Sequence, residues 1–130
     1  MVGIVIVSHS QKLAEGVVEV ARMMAADAPL AAAGGLEDGS LGTNYEKIFA
    51  AVEEVYSADG VMILMDMGSA VMTTEMVLED LDKPNVVMID CPLVEGAVLA
   101  AVESSGGRSL EEISARMEEA RATKKFLSAE

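Results

Sequence analysis

Four times in succession, a short and unbroken apolar run gives way to a stretch whose apolar residues recur at helical spacing. Gly3-Ile4-Val5-Ile6-Val7 and Val61-Met62-Ile63-Leu64-Met65 contain no polar alternation, as expected of strands covered on both faces. Leu30 to Ala33 and Val86 to Ile89 read as the second and fourth strands. Strands alternating with helices predict an α/β fold: a doubly wound parallel four-stranded sheet, order 2-1-3-4, with helices on both faces.

Punctuation between the runs agrees with that reading. Leu13, Val17, Val20, Ala21 and Met24 trace one face of a first helix, and Ser8 with Gln11 fits a capping box that places His9 in its first turn. Gly34 to Gly42 is a glycine-rich loop, after which Thr43 and Glu46 fit a second box opening a helix over Tyr45, Ile48, Phe49, Val52 and Val55. A third helix is predicted from about Ala70 to Leu81, and a fourth follows Asp90-Cys91-Pro92. Ser109 and Glu112 cap a fifth carrying Ile113, Met117 and Ala120. The organisation is one domain over 1–124, with a frayed tail over 125–130.

Composition removes several classes of function. With 22 acidic and 9 basic side chains the formal charge is −13, which argues against a nucleic-acid surface and a polybasic membrane patch. The longest apolar run, Ala97 to Val102, is far short of a membrane span. The apolar start has no basic flank or cleavage site, so it reads as a strand of a cytoplasmic protein. A lone Cys91 and a lone His9 exclude internal disulfides and the usual zinc motifs, and no metal is expected.

Ligands of open parallel sheets bind beyond the carboxyl ends of the strands, where the strand order reverses. Order 2-1-3-4 puts that point between the first and third strands, so His9 and Asp66 would face each other there. Free amides at a helix start hold phosphoryl oxygens. A carboxylate on one ring nitrogen fixes the tautomer and leaves the other exposed for attack. Those are the parts of a phosphohistidine site. Each also has a plainer reading: a turn histidine, a helix-capping aspartate, glycines serving turns, and methionines as core filler. Met67 and Met72 alone fall near the crevice mouth.

The segments IVIVSHSQKLAEGVVE, GGLEDGSLGTNYEKI and ILMDMGSAVMTTEMVLE, in this order and at strand ends, resemble the phosphotransferase subunit M of phosphoenolpyruvate-dependent dihydroxyacetone kinase. That subunit belongs to the mannose-type enzyme IIA superfamily. The resemblance runs from Met1 to about Ala120. It implies His9 as the phosphorylated residue and Asp66 as its partner, with Ser10, Gly42, Thr43, Gly68 and Ser69 around the phosphoryl group. It implies a relay from the phosphocarrier HPr to ADP on the kinase's L subunit, the resulting ATP phosphorylating dihydroxyacetone on the K subunit. No cofactor is expected in this chain, ADP/ATP and Mg belonging to the L subunit, and a homodimer is expected.

Two departures refine the resemblance. Mannose-transporter IIA domains carry a further C-terminal strand, whereas residues beyond Cys91 read as helices only, which favours the dihydroxyacetone branch. Some relatives also fuse HPr-like and enzyme I-like domains behind this one, so the 130 residues here imply separate donor proteins. The alternative reading is a regulatory domain gated by phosphorylation of His9, without transfer to ADP. Receiver-like and flavin-binding readings rank lower, because Ser8-His9-Ser10 stands where an acidic pair is needed and the chain has no Trp.

Overall fold

The computed structural model describes residues 1–126. A parallel sheet holds strands β1 (Gly3–Ser8), β2 (Leu30–Gly34), β3 (Val61–Met65) and β4 (Val86–Met88) in the order β2-β1-β3-β4. The predicted strand order is the observed one. Between and after the strands run α1 (Gln11–Met24), α2 (Tyr45–Val55), α3 (Val71–Leu81), α4 (Leu93–Ser105) and α5 (Leu110–Ala122). Every residue of β1 is buried, because it pairs on both edges and is covered on both faces.

Alternation along each strand divides the core in two. Ile4, Ile6, Met62 and Leu64 point to one face and pack with Ala14, Val17, Ala97, Ala100 and Ile113 of α1, α4 and α5. Val5, Val7, Val61 and Ile63 point to the other and pack with Ile48, Val52 and Val77 of α2 and α3. Small residues on α4, with Gly96, Ala97, Ala100 and Ala101 buried, bring it close to the sheet. Beyond β4 the described residues form helices and no strand, as the sequence indicates.

Three expectations are corrected. The α1 cap is Ser10, whose Oγ accepts from Leu13 N, so His9 precedes the helix and does not lie in its first turn. Ser8 ends β1 instead, and its hydroxyl is taken by Asp66. On α1 the buried face is Ala14, Val17, Val18 and Ala21, leaving Leu13, Val20 and Met24 exposed. The α2 cap is Asn44, accepting from Lys47 N, not Thr43. The Ser109–Glu112 capping box forms as read. Of the tail expected over 125–130, positions 127–130 lie outside the described residues, and Lys125 forms an ion pair with Glu95.

Candidate functional site

Register builds the site. Val7 on β1 lies opposite Met65 on β3, so the next residues, Ser8 and Asp66, emerge side by side at the carboxyl end. The Asp66 amide donates to Val7 O at 3.1 Å and extends that pairing by one step. His9 leaves β1 at this point. The strand-order reversal therefore delivers a histidine and an aspartate from neighbouring strands to one spot, as the topology requires.

Asp66 accepts four hydrogen bonds. The Ser8 hydroxyl (2.9 Å) and the His9 amide (3.0 Å) donate to Oδ2; the Met67 amide (2.8 Å) donates to Oδ1, which lies 3.1 Å from His9 Nδ1. A carboxylate has about four acceptor positions, so this one is fully used. Burial pushes its carboxyl up, but the His9 amide, the Ser8 hydroxyl and the His9 ring outweigh burial and hold it below the ordinary aspartate value. Asp66 is thus an ionised acceptor, and the proton in the Asp66–His9 bond resides on Nδ1.

That assignment fixes the far side of the ring. With Nδ1 protonated, a neutral imidazole has its free lone pair on Nε2. Ser69 Oγ lies 2.8 Å from Nε2 and is the donor in that bond. Ser69 belongs to a single 3₁₀ turn, Gly68–Ala70, and is exposed. A Cβ built on the neighbouring Gly68 would meet nothing within 4 Å, so this turn borders open space.

A second loop holds the histidine's backbone. Gly42 N donates to His9 O at 2.8 Å, and Gly35 N donates to Ser8 O at 3.2 Å. Gly42 has φ +146°, and a Cβ there would come within 3.0 Å of Leu36 Cδ2 and Cγ, so glycine is required by both conformation and space. Thr43 Oγ1 pairs with Thr73 Oγ1 of α3 at 3.2 Å, tying this loop to the third helix. Of the expected phosphoryl-pocket residues, Ser69 touches the ring itself. Gly68 borders open space, the Gly42 amide is engaged by His9 O, and Ser10 serves as helix cap.

With that geometry fixed, the family model EIIA-man, "PTS system fructose IIA component", matches residues 3–114. The chain belongs to this EIIA-man family. Within it, the chain is 39% identical over 116 residues to the phosphotransferase subunit DhaM of the PTS-dependent dihydroxyacetone kinase of Lactococcus lactis, covering 89% of this chain and 93% of that one. A phosphoryl donor subunit DhaM of the PEP-dependent dihydroxyacetone kinase 2 of Listeria innocua is 41% identical over 117 residues, covering 87% and 94%. The Escherichia coli phosphoryl donor subunit is 40% identical over 120 residues, spanning 87% of this chain but only 25% of that longer protein. These relatives place the chain in the DhaM branch of the family.

Solved structures agree on the fold of this EIIA-man domain. A crystal structure of a protein of unknown function superposes with TM-score 0.80 at 28% identity, over 98% of this chain and 99% of that one. The mannose/sorbose-specific IIA subunit of Enterococcus faecalis superposes at 0.56 and 18% identity, over 99% and 97%.

Around the EIIA-man site the surface is apolar and open. Met67 and Met72 are exposed, as is Leu41 on the glycine-rich loop. Met76 is exposed too, against its reading as core filler; Met62 is buried as read. Next to the site, a cleft of about 360 Å³ is lined by Met65, Met67, Val71, Met88, Ile89 and Cys91 together with Asp66 and Asp90. Burial pushes the half-buried Cys91 thiol up to about 11, so it stays protonated and a poor nucleophile at neutral pH. Among the described residues, no three His, Cys, Asp or Glu side chains converge as metal ligands would, and no helix is long and apolar enough to cross a membrane. Sequence reasoning missed Ser8 as an Asp66 ligand and Lys47 as a loop anchor, described below.

Proposed function

We propose that this chain is a phosphohistidine carrier that takes a phosphoryl group from HPr onto His9. It then hands the group to ADP held, with Mg, on the L subunit of a dihydroxyacetone kinase. The ATP formed there phosphorylates dihydroxyacetone on the K subunit. The observation that carries this reading is the Asp66–His9–Ser69 chain of hydrogen bonds, which leaves Nε2 as the nucleophile at an open crevice. The names of its relatives, phosphotransferase and phosphoryl donor subunits, support the same reading.

The chemistry follows from the geometry. The Ser69 hydroxyl swings off Nε2, and the lone pair attacks the phosphorus held on the donor's histidine. A new N–P bond forms as the donor's N–P bond breaks, its electron pair returning to the donor imidazole. The His9 ring now carries a proton on Nδ1 and phosphorus on Nε2, so it is cationic, and the ionised Asp66 faces that charge from 3.1 Å. Transfer to ADP reverses the roles. Loose phosphoryl transfers need positioning and charge neutralisation rather than a strong base, and Asp66, ionised and facing Nδ1, supplies both.

Apolar, open surroundings suit a site over which two proteins take turns, because methionine adapts to differing surfaces. The carrier is read as a cytoplasmic homodimer, with the exposed Leu13, Val20 and Met24 flank of α1 as the face that supports pairing. The test is intact-protein mass after incubation with phosphoenolpyruvate, enzyme I and HPr, beside His9→Ala. One acid-labile phosphoryl group, absent from the variant, is the expected result. A phosphorylated His9→Ala protein would sink the site. Phosphorylation without passage to an L subunit would favour the gated regulatory reading.

A further inference from the structure

We propose that Lys47 is a positioning residue for phosphoryl acceptance by His9, acting through the glycine-rich loop. The inference rests on the phosphohistidine reading above. Lys47 sits in the first turn of α2, where its amide donates to the Asn44 cap at 2.9 Å. A cation in the first turn of a helix opposes the helix dipole, and local rules of this kind are broken chiefly where something else compensates. Here the compensation is visible. Lys47 Nζ donates to Gly34 O and to Leu36 O, each at 3.0 Å, two carbonyls at the end of β2 and the start of the loop.

From there a continuous set of contacts leads to the histidine. Leu36 N donates to Ser40 O at 2.9 Å and Gly39 N to Leu36 O at 3.0 Å, closing the loop on itself. The Leu36 side chain packs where a Gly42 side chain would stand, and Gly42 N holds His9 O at 2.8 Å. Lys47 therefore pins the entrance of a loop whose exit grips the His9 backbone. The ring is gripped separately through Asp66. Asp66 also takes the His9 amide, so without the Gly42 bond the histidine is held from the Asp66 side alone and its carbonyl side is free to shift.

The test compares wild type, Lys47→Met and Lys47→Arg in the full chain, with two donors and one exchange measurement. Phosphoramidate is a small donor that needs no docking: His9 Nε2 forms the N–P bond as ammonia leaves. HPr phosphorylated by enzyme I is the protein donor. Loss of two charge-assisted bonds should slow phosphorylation of Lys47→Met by both donors on the order of tenfold and speed hydrogen exchange at the Gly42 amide by a similar factor. Exchange at the core amides of Ile6 and Ile63 should not change, which separates loop positioning from general destabilisation. Lys47→Arg, which keeps the cation, should recover most of both losses. Wild-type exchange at Gly42 in Lys47→Met, or raised exchange with unchanged rates, overturns the proposal. Wild type reacting with phosphoramidate but not with phosphorylated HPr sinks the HPr reading and leaves the Lys47 comparison decisive; reaction with neither donor overturns both.

Discussion

Ser69 Oγ donates into the lone pair of His9 Nε2 at 2.8 Å, so on the phosphohistidine reading the nucleophile rests covered by a hydroxyl that must move before reaction. Removing that hydroxyl has two opposed effects. A neutral hydrogen bond is worth about 1 kcal/mol net, whereas one to a charged phosphoryl oxygen is worth about 1.5–3. The second wins. Ser69→Ala should accept phosphate a few-fold to about tenfold more slowly, read by single-turnover transfer from phosphorylated HPr; acceptance faster than wild type would show that covering the lone pair is the larger effect.

Asp66→Asn keeps the shape but loses the charge that faces the phosphorylated ring. Charge-assisted hydrogen bonds are worth about 1.5–3 kcal/mol, so acceptance should fall about 10- to 100-fold while HPr binding, followed by NMR shift perturbation, persists. Unchanged rates would return Asp66 to a capping role.

Asp66 also sets an acid limit on stability. Its carboxyl is held below the ordinary aspartate value, so ionisation is favoured by folding. That contribution is whole above the unfolded value, near about pH 4, and is lost as pH falls through the lower folded one. Thermal melts of wild type and Asp66→Asn should therefore converge towards about pH 2 and separate on raising the pH to about 6. Parallel curves would refute the assignment.

Gly42 and Gly68, in two loops of the site, make a matched pair. Gly42→Ala meets a positive φ and the Leu36 side chain, and strain of this kind costs about 1–3 kcal/mol. Gly68→Ala meets nothing within 4 Å and should fall within about 0.5 kcal/mol of wild type. Chemical denaturation of both variants checks the contrast.

Gly16 lies inside α1, where an added Cβ meets nothing within 4 Å. Gly16→Ala should stabilise the chain by about 0.5–1 kcal/mol, raising Tm by roughly 2–5 °C. A lowered Tm accompanied by loss of dimer would instead assign this flank of α1 to close packing between copies.

Sheet and helices were legible because both faces of the sheet are covered, which leaves β1 and β3 as uninterrupted apolar words. That His9 and Asp66 face each other follows from the strand order; their roles rest on the family resemblance. The errors lie where a distant partner competes with a local one. Ser8 looks like a cap by spacing, but it is the last residue of β1: its hydroxyl donates to Asp66, 58 residues away, and accepts from Ser10 N, while Ser10 caps α1. On α1 the larger Leu13 was assigned inward, yet β2 ends so close to the helix start that a side chain on Gly34 would strike Ala14. A small residue suits position 14, and Leu13 beside it turns outward. Lys47 left one weak trace, a cation in the first turn of a helix, but its partners are backbone carbonyls that any residues would supply.

The placement of His9 at the end of β1 has a mechanical consequence. That strand is the most enclosed segment of the molecule, hydrogen-bonded along both edges and buried throughout. On the phosphohistidine reading, the accepting nitrogen would thus be mounted on a fixed berth, not on a swinging arm, with the Ser69 hydroxyl beside it as the part that shifts. In the proposed handover, reorientation would fall to the visiting proteins, each of which would have to arrive already aimed. Turnover would then be governed by how often correctly turned encounters occur, and crowding of one visitor would slow the other by simple occupancy.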